Sequence, residues 1–146
     1  MNYVGIDLHK KTIVLCAMDQ DRKVTHRRTF ACGQAEVIRA FFAGLGPFRA
    51  VVEATASYEW LVALIEPLAD RVVLAHPGKL RVIAESAKKT DKLDAAVLAE
   101  FLARDMIPEA FPSRRRRGTE GSTRRRGAGS RTGTALPRRR PRASAH

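Results

Sequence analysis

The order of the apolar segments constrains the fold of this chain more than any other feature of its sequence. Three short β-type runs, at residues 3–7, 12–18 and 24–31, are joined by short polar links and predict an antiparallel meander. Segments with apolar residues three and four apart then alternate with short apolar strands. We predict helices at 36–45, 57–68 (capped by Ser57), 79–85 and 91–104, and strands at 50–53 and 71–75. This order predicts an α/β fold with a mixed sheet flanked by helices, as in RNase H-like folds.

Composition divides the chain after residue 111. Residues 1–111 carry 15 Lys and Arg against 14 Asp and Glu, whereas residues 112–146 carry 12 Arg against Glu120 alone. Of those last 35 residues, 32 are Arg, Gly, Pro, Ser, Thr or Ala, so little apolar surface is available to offset the entropy of ordering them. We therefore predict one folded domain at 1–111 and a disordered basic tail at 112–146. Such a tail attracts any polyanion through phosphate contacts.

Two carboxylates lie at the carboxyl ends of predicted strands, where open α/β sheets commonly place their sites. Asp7 ends the first strand, and Glu53 ends the run 50–52. Each also has a simpler interpretation, because a strand-end Asp is commonly a turn residue and Glu53 can be solvent-exposed at an edge. If Glu53 is buried, it needs water, a cation or a metal as its partner, since an unpaired buried charge is costly.

Asp91 and Asp94 form a second acidic pair, three residues apart at the predicted start of the last helix. This spacing places both residues on one helical face. It also fits an N-cap followed by an acidic third helical residue, which stabilises a helix without any catalysis. For the pair taken alone, capping is the favoured interpretation, and the two roles are compatible.

The four carboxylates together point to a metal site. A strand-one Asp, a central-strand Glu and two Asp on a late helix can converge at one end of the sheet, where their charges repel. Divalent cations relieve that repulsion, and carboxylate oxygens with water suit Mg²⁺ or Mn²⁺. Two such ions can activate a water or hydroxyl and stabilise the leaving oxygen in phosphodiester cleavage.

Several ordered segments of the chain resemble one family of mobile-element proteins. They are Tyr-Val-Gly-Ile-Asp-Leu-His-Lys-Lys-Thr (3–12), Val-Val-Glu-Ala-Thr-Ala (51–56), His-Pro-Gly-Lys-Leu-Arg (76–81), Lys-Thr-Asp-Lys-Leu-Asp-Ala (89–95) and Ile-Pro-Glu-Ala-Phe (107–111). The series resembles the N-terminal RuvC-like domain of insertion-sequence DEDD transposases of the IS110 type. Asp-x-x-Asp alone is a weak signal, whereas the ordered series is specific.

The resemblance implies a RuvC-type site in which Asp7, Glu53, Asp91 and Asp94 bind divalent metal, Mg²⁺ or Mn²⁺. It implies strand cleavage and transfer in DNA transposition, with DNA and a structured guide RNA from the element as partners and self-association in the full-length family. It also implies a C-terminal domain with a serine nucleophile, which is not found in this sequence. We therefore expect a truncated or frame-shifted copy that is inactive alone, and the alternative is that residues 112–146 are a genuine basic arm.

Two other function classes remain open. A non-catalytic nucleic-acid-binding fragment would owe its affinity to the Arg-rich tail. A sugar or acetate kinase-like fold would use residues 5–12 as a phosphate-binding turn, but His9, Lys10 and Lys11 stand where such a turn needs glycine.

Lysines near the predicted site are candidate phosphate contacts, although lysines on surface turns are usually only solvated. They are Lys10, Lys11, Lys88, Lys89 and Lys92.

Two further expectations concern His9 and the location of the protein. His9 is close enough to Asp7 in the sequence to approach the predicted metal. The chain has no apolar run long enough to suggest a membrane span and no signal peptide, so we expect a bacterial-type cytoplasmic protein, nucleoid-associated when bound to DNA.

Overall fold

The structure is a computed structural model that describes residues 1–55, 57–88 and 93–110, without the side chain of Lys88. The predicted disorder of residues 112–146 therefore lies outside the described residues. None of the helices in the described ranges is long and apolar enough to cross a membrane.

Five strands form one mixed sheet in the order β3-β2-β1-β4-β5. The first three strands pair antiparallel, whereas β4 lies parallel to β1 and β5 lies parallel to β4. The strands are β1 (Asn2–Leu8), β2 (Thr12–Met18), β3 (Val24–Ala31), β4 (Phe48–Glu53) and β5 (Arg71–Ala75). The predicted meander and the mixed sheet are both confirmed.

Four helices cover the two faces of the sheet. They are α1 (Ala35–Gly44), α2 (Glu59–Ile65), α3 (Pro77–Lys88) and α4 (Ala95–Ala103). The first two helices bury apolar side chains such as Phe42 and Leu61 on one face, and the last two bury Leu80 and Leu98 on the other. This α/β architecture is consistent with an RNase H-like fold, as predicted.

The central strand β1 shows why both faces must be covered. Val4 and Ile6 are fully buried against the α1 and α2 side, while Tyr3 packs against the α3 and α4 side. Side chains alternate between the faces of a strand, so Gly5 and Asp7 lie on the same face as Tyr3. A strand that is apolar on both faces is typical of a sheet enclosed between helical layers.

The predicted boundaries of three helices were wrong by two residues or more. Ser57 does not cap α2, because it has a positive φ of 67° and the N-cap is Tyr58, which makes no side-chain capping bond. Helix α3 begins at Pro77 and not at residue 79, as suits a residue with no N–H to donate, and it continues to Lys88, beyond the predicted end at residue 85. Helix α4 begins at Ala95 and not at residue 91, because the side chain of Asp94 supplies the N-cap.

Candidate functional site

Asp7 and Glu53 lie side by side at the carboxyl ends of two parallel neighbouring strands. The last paired positions of β1 and β4 are Ile6 and Val52, and each carboxylate follows one residue later. Equal register on adjacent strands, with side chains on the same face, puts their Cα atoms roughly 5 Å apart. The fold therefore joins two of the four predicted site residues, although 45 residues separate them in the chain.

The carboxylate of Asp7 is partly enclosed and has a nearby imidazole. Its side chain is 26% exposed, and its Oδ2 lies 3.1 Å from Nε2 of His9, whose side chain is 55% exposed. His9 belongs to the short turn between β1 and β2, which a backbone hydrogen bond from the N–H of His9 to the carbonyl of Thr12 closes at 2.8 Å. His9 thus lies beside Asp7, and its approach to a metal ion stays a prediction.

Helix α4 lies directly against β1 because residue 5 is glycine. A Cβ built on Gly5 would stand 2.0 Å from the carbonyl oxygen of Ala95 and 2.4 Å from the amide nitrogen of Ala99. These distances are far below any real Cβ contact, so only glycine allows this approach. The approach brings the first turn of α4 to the strand that carries Asp7.

Asp94 marks the beginning of α4 on the same face of the sheet. Its backbone is extended, with φ −91° and ψ 173°, and its Oδ1 accepts a hydrogen bond of 2.9 Å from the N–H of Val97. Asp94 also borders a cavity of about 280 Å³ with Val14, and Val14 is the residue of β2 that pairs with Asp7. Asp94 is thus partly buried and lies over β2, the strand that pairs with the Asp7 end of β1.

The predicted geometry of the second acidic pair was wrong in one respect. Asp94 precedes α4 and is not within it, so Asp94 does not lie on a face of that helix. The capping interpretation holds for Asp94, as the N-cap itself and not as the third helical residue. Asp91 lies outside the described residues.

The described residues alone do not complete a metal-binding cluster. Within residues 1–55, 57–88 and 93–110, no three His, Cys, Asp or Glu side chains gather closely enough to hold an ion. Asp7 with Glu53 provides an all-oxygen pair on adjacent strands, and such carboxylates are the ligands that Mg²⁺ and Mn²⁺ prefer. The donor chemistry fits a hard divalent cation, with at least one further ligand required.

The predicted lysine contacts divide into two groups. Lys10 and Lys11 are exposed in the turn that also holds His9, at the same end of the sheet as Asp7. The side chain of Lys88, at the end of α3, is not described, and Lys89 and Lys92 lie outside the described residues.

Sequence reasoning missed two residues that shape this region. Gly5 fixes the contact between α4 and β1, and the available signal was an isolated glycine inside an apolar strand, which often marks a close backbone approach. Arg27 borders the same cavity as Asp94, and this is visible only once the register of β3 is known.

Comparison with known proteins identifies the family. No curated protein matches the chain. The sequence matches the transposase family of the IS110 DEDD type over residues 4–119, which is more than half of the chain. The matched range contains all five strands and all four helices except for the first two residues of β1. The chain therefore belongs to the IS110-type family of DEDD transposases, insertion-sequence proteins whose partner is DNA.

Proposed function

We propose that residues 1–111 form the RuvC-like, metal-dependent strand-cleaving domain of a DNA transposase, with Asp7, Glu53, Asp91 and Asp94 as ligands of Mg²⁺ or Mn²⁺. The observation that supports this most strongly is the side-by-side position of Asp7 and Glu53 at the ends of parallel strands. The carboxyl ends of such strands are where α/β sheets commonly hold their ligands.

The charges of this pair favour a bound cation. The two carboxylates belong to residues whose Cα atoms lie roughly 5 Å apart, so their negative charges repel one another. Among the described residues, the imidazole of His9 lies 3.1 Å from the carboxylate of Asp7. A divalent cation removes the repulsion and, when bound, activates the attacking water or hydroxyl and stabilises the leaving oxygen. Asp7 and Glu53 hold adjacent positions because they end β1 and β4, which are neighbouring inner strands of the sheet.

Asp94 has two compatible roles in the proposal. Its Oδ1 accepts the N–H of Val97 and so fixes the side chain at the N-terminus of α4. Its second carboxylate oxygen remains as a ligand atom, held in a fixed orientation by the cap. A capped ligand of this kind loses little side-chain entropy when a cation binds.

Binding of Mn²⁺ to the 146-residue chain tests the proposal, measured by the loss of the free-ion signal in electron paramagnetic resonance. Asp7→Asn keeps the shape of the side chain and removes its charge, and we expect the dissociation constant to rise about tenfold or more, equal to about 1.4 kcal/mol. Asp105→Asn is the matched control, because Asp105 lines a different cavity, together with Tyr3 from the opposite end of β1. Equal affinities in the wild type and Asp7→Asn would reject the metal assignment.

The partners of the protein and its activity in isolation are proposed from the family resemblance. We propose that a structured guide RNA and self-association belong to the working protein. We also propose that the purified 146-residue chain does not complete transposition by itself, since the resemblance implies a serine nucleophile on a separate C-terminal domain. Recombination catalysed by the purified chain alone would contradict the last point.

The competing function is non-catalytic binding through the tail of 12 Arg. It predicts DNA affinity that depends on salt and is indifferent to Asp7→Asn, with no specific Mn²⁺ site. The kinase-like alternative has no support, because the chain belongs to a transposase family.

A further inference from the structure

The two edges of the sheet differ in what covers them. Along β5, residues 108–110 add a short strand-like segment, with hydrogen bonds from the N–H of His76 to the carbonyl of Pro108 and from the N–H of Ala110 to the carbonyl of Leu74. On the other edge, β3 pairs only with β2 among the described residues, and most of its side chains are exposed. The open edge of the sheet is therefore β3.

Two consecutive arginines on β3 lie on opposite faces of the sheet. Arg27 pairs with Cys16, which is buried against Ala95 and Ala99 at the start of α4. Arg28 pairs with Leu15, which belongs to the core beneath α1 and α2. Paired side chains lie on the same face, so Arg27 is on the α4 face, with Asp7 and Glu53, and Arg28 is not.

Arg27 and its neighbour Arg28 both border the cavity of about 280 Å³ that Asp94 also lines, and only Arg27 has its side chain on the α4 face. It is exposed and makes no ion pair with another described residue. Thr29 is also exposed and lines the same cavity, two residues further along β3 and in the row of paired residues that contains Asp7. A cation and a hydroxyl thus flank the proposed ligand Asp94 on the side of the open edge.

The sheet geometry sets the distance from Arg27 to the carboxylates. The register places Thr29, Val14 and Asp7 in one row across three strands, and Arg27 lies two residues further along β3. Two strand spacings of about 4.8 Å and a two-residue step of about 6.8 Å give a Cα separation of roughly 12 Å from Asp7. Measured along the axis of a DNA duplex, where each strand carries one phosphate per about 3.4 Å, that separation spans three or four nucleotides before the reach of the arginine side chain shortens it.

From this arrangement we propose that the α4 face of β3 is a track for a DNA strand and that Arg27 contacts a backbone phosphate a few nucleotides from the one at the carboxylates. This inference rests on the proposed function, because the carboxylates define the position of the cleaved phosphate. Arg27 acts as a positioning residue, since its fork of N–H donors matches phosphate oxygens. Arg28 has the same charge and also borders the cavity, but strand alternation starts its side chain on the opposite face of the sheet, and its Nη1 donates to the carbonyl of Arg27 at 2.9 Å.

The pair provides a matched experiment on the complete 146-residue chain. Arg27→Gln and Arg28→Gln each remove one positive charge from the same exposed strand and leave the Arg-rich tail unchanged. Binding of a fluorescent 12-base-pair DNA duplex is measured by anisotropy over a series of salt concentrations. For Arg27→Gln we expect affinity to fall about fivefold to tenfold and the slope of log K against log salt to decrease by about 0.9.

For Arg28→Gln we expect a change of less than twofold and an unchanged slope, and Arg27→Lys should recover part of the loss because it restores the charge. Equal losses in the two glutamine variants would show that only net charge matters and would overturn the proposal. An Arg27→Gln variant with wild-type affinity would overturn it too, as would a loss confined to an RNA duplex of the same length. If the variants behave alike while Asp7→Asn still loses Mn²⁺, only this inference fails; if Asp7→Asn keeps its Mn²⁺, the proposed function fails.

Discussion

Replacing Gly5 by alanine tests whether the close contact between β1 and α4 holds the candidate site together. The new Cβ would stand 2.0 Å from the carbonyl oxygen of Ala95, whereas ordinary contact begins at 3.4 Å, so α4 must move outward by about 1.4 Å. The other two contacts, at 2.4 Å to the amide nitrogen of Ala99 and 2.9 Å to Cβ of Leu98, lie along the same helix. Neither backbone atom can rotate away, so the strain cannot be relieved by a side-chain rotamer.

The size of the effect follows from the packing that this movement opens. A gap of 0.5–1 Å already forfeits a quarter to a half of the dispersion energy across an interface. Overpacked cores lose roughly 1–3 kcal/mol, and a contact with backbone belongs at the upper end, so we expect a loss of about 3 kcal/mol. At about 4 °C per kcal/mol for a domain of this size, Tm should fall by roughly 12 °C.

Differential scanning calorimetry of the complete chain measures this change, with Gly44→Ala as the control. Gly44 is the last residue of α1, and an added Cβ there meets no atom within 4 Å. Alanine is the better helix former, so the control should be unchanged or more stable by up to about 1 kcal/mol. If Gly5→Ala melts within 2 °C of the wild type, roughly 0.5 kcal/mol, the packing of α4 on β1 is not as described.

Two further predictions concern single residues near the same helix. Asp94→Ala should lower the free energy of unfolding by about 1 kcal/mol through the lost N-cap, and Asp94→Asn by less than about 0.5 kcal/mol because asparagine also caps, whereas both should weaken Mn²⁺ binding if the carboxylate is a ligand. Urea unfolding measures the capping role and Mn²⁺ titration the ligand role. Wild-type Mn²⁺ affinity in Asp94→Asn would show that Asp94 is an N-cap only. Burial raises the pKa of the Cys16 thiol above its ordinary value of 9.0, with the nearby Arg27 acting in the opposite direction. Because the folded-state pKa is raised, this contribution to stability is complete below pH 9 and is lost as the pH rises through the folded value. Urea midpoints should therefore decline as the pH rises above 9, and should decline less in Cys16→Ala. An equal decline in both proteins would exclude Cys16 as the cause.

The sheet could be predicted from the sequence because short apolar runs with β-forming residues leave few alternatives. The bounds predicted for β2, β3 and β5 agree with the structure, and the polar links between the first three strands are too short for anything but an antiparallel meander. Local pattern was sufficient for the strands themselves because strand formation and burial on both faces required the same residues. The parallel placement of β4 beside β1, which brings Asp7 and Glu53 to adjacent strand ends, is visible only in the structure.

The start of α4 could not be predicted in the same way. Both Asp91 and Asp94 fit the sequence pattern of an N-cap, and the choice between them depends on where the helix contacts β1 through Gly5. The prediction that Ser57 caps α2 was wrong for a related reason. The backbone takes a left-handed conformation at Ser57, and α2 begins two residues later without a side-chain cap. Tertiary contacts, and not local propensity, decide these boundaries.

Charge distribution determines which measurements can report on the site at all. Residues 112–146 carry a net charge of +11 and residues 1–111 only +1, so total DNA affinity mostly reflects the Arg-rich segment. A high affinity would therefore be found for this chain with or without a functioning carboxylate cluster. Substitutions that change charge equally at positions of different geometry, such as Arg27 and Arg28, cancel that background. The proposed site is therefore tested by differences between matched variants and by Mn²⁺ binding, because neither depends on the basic segment.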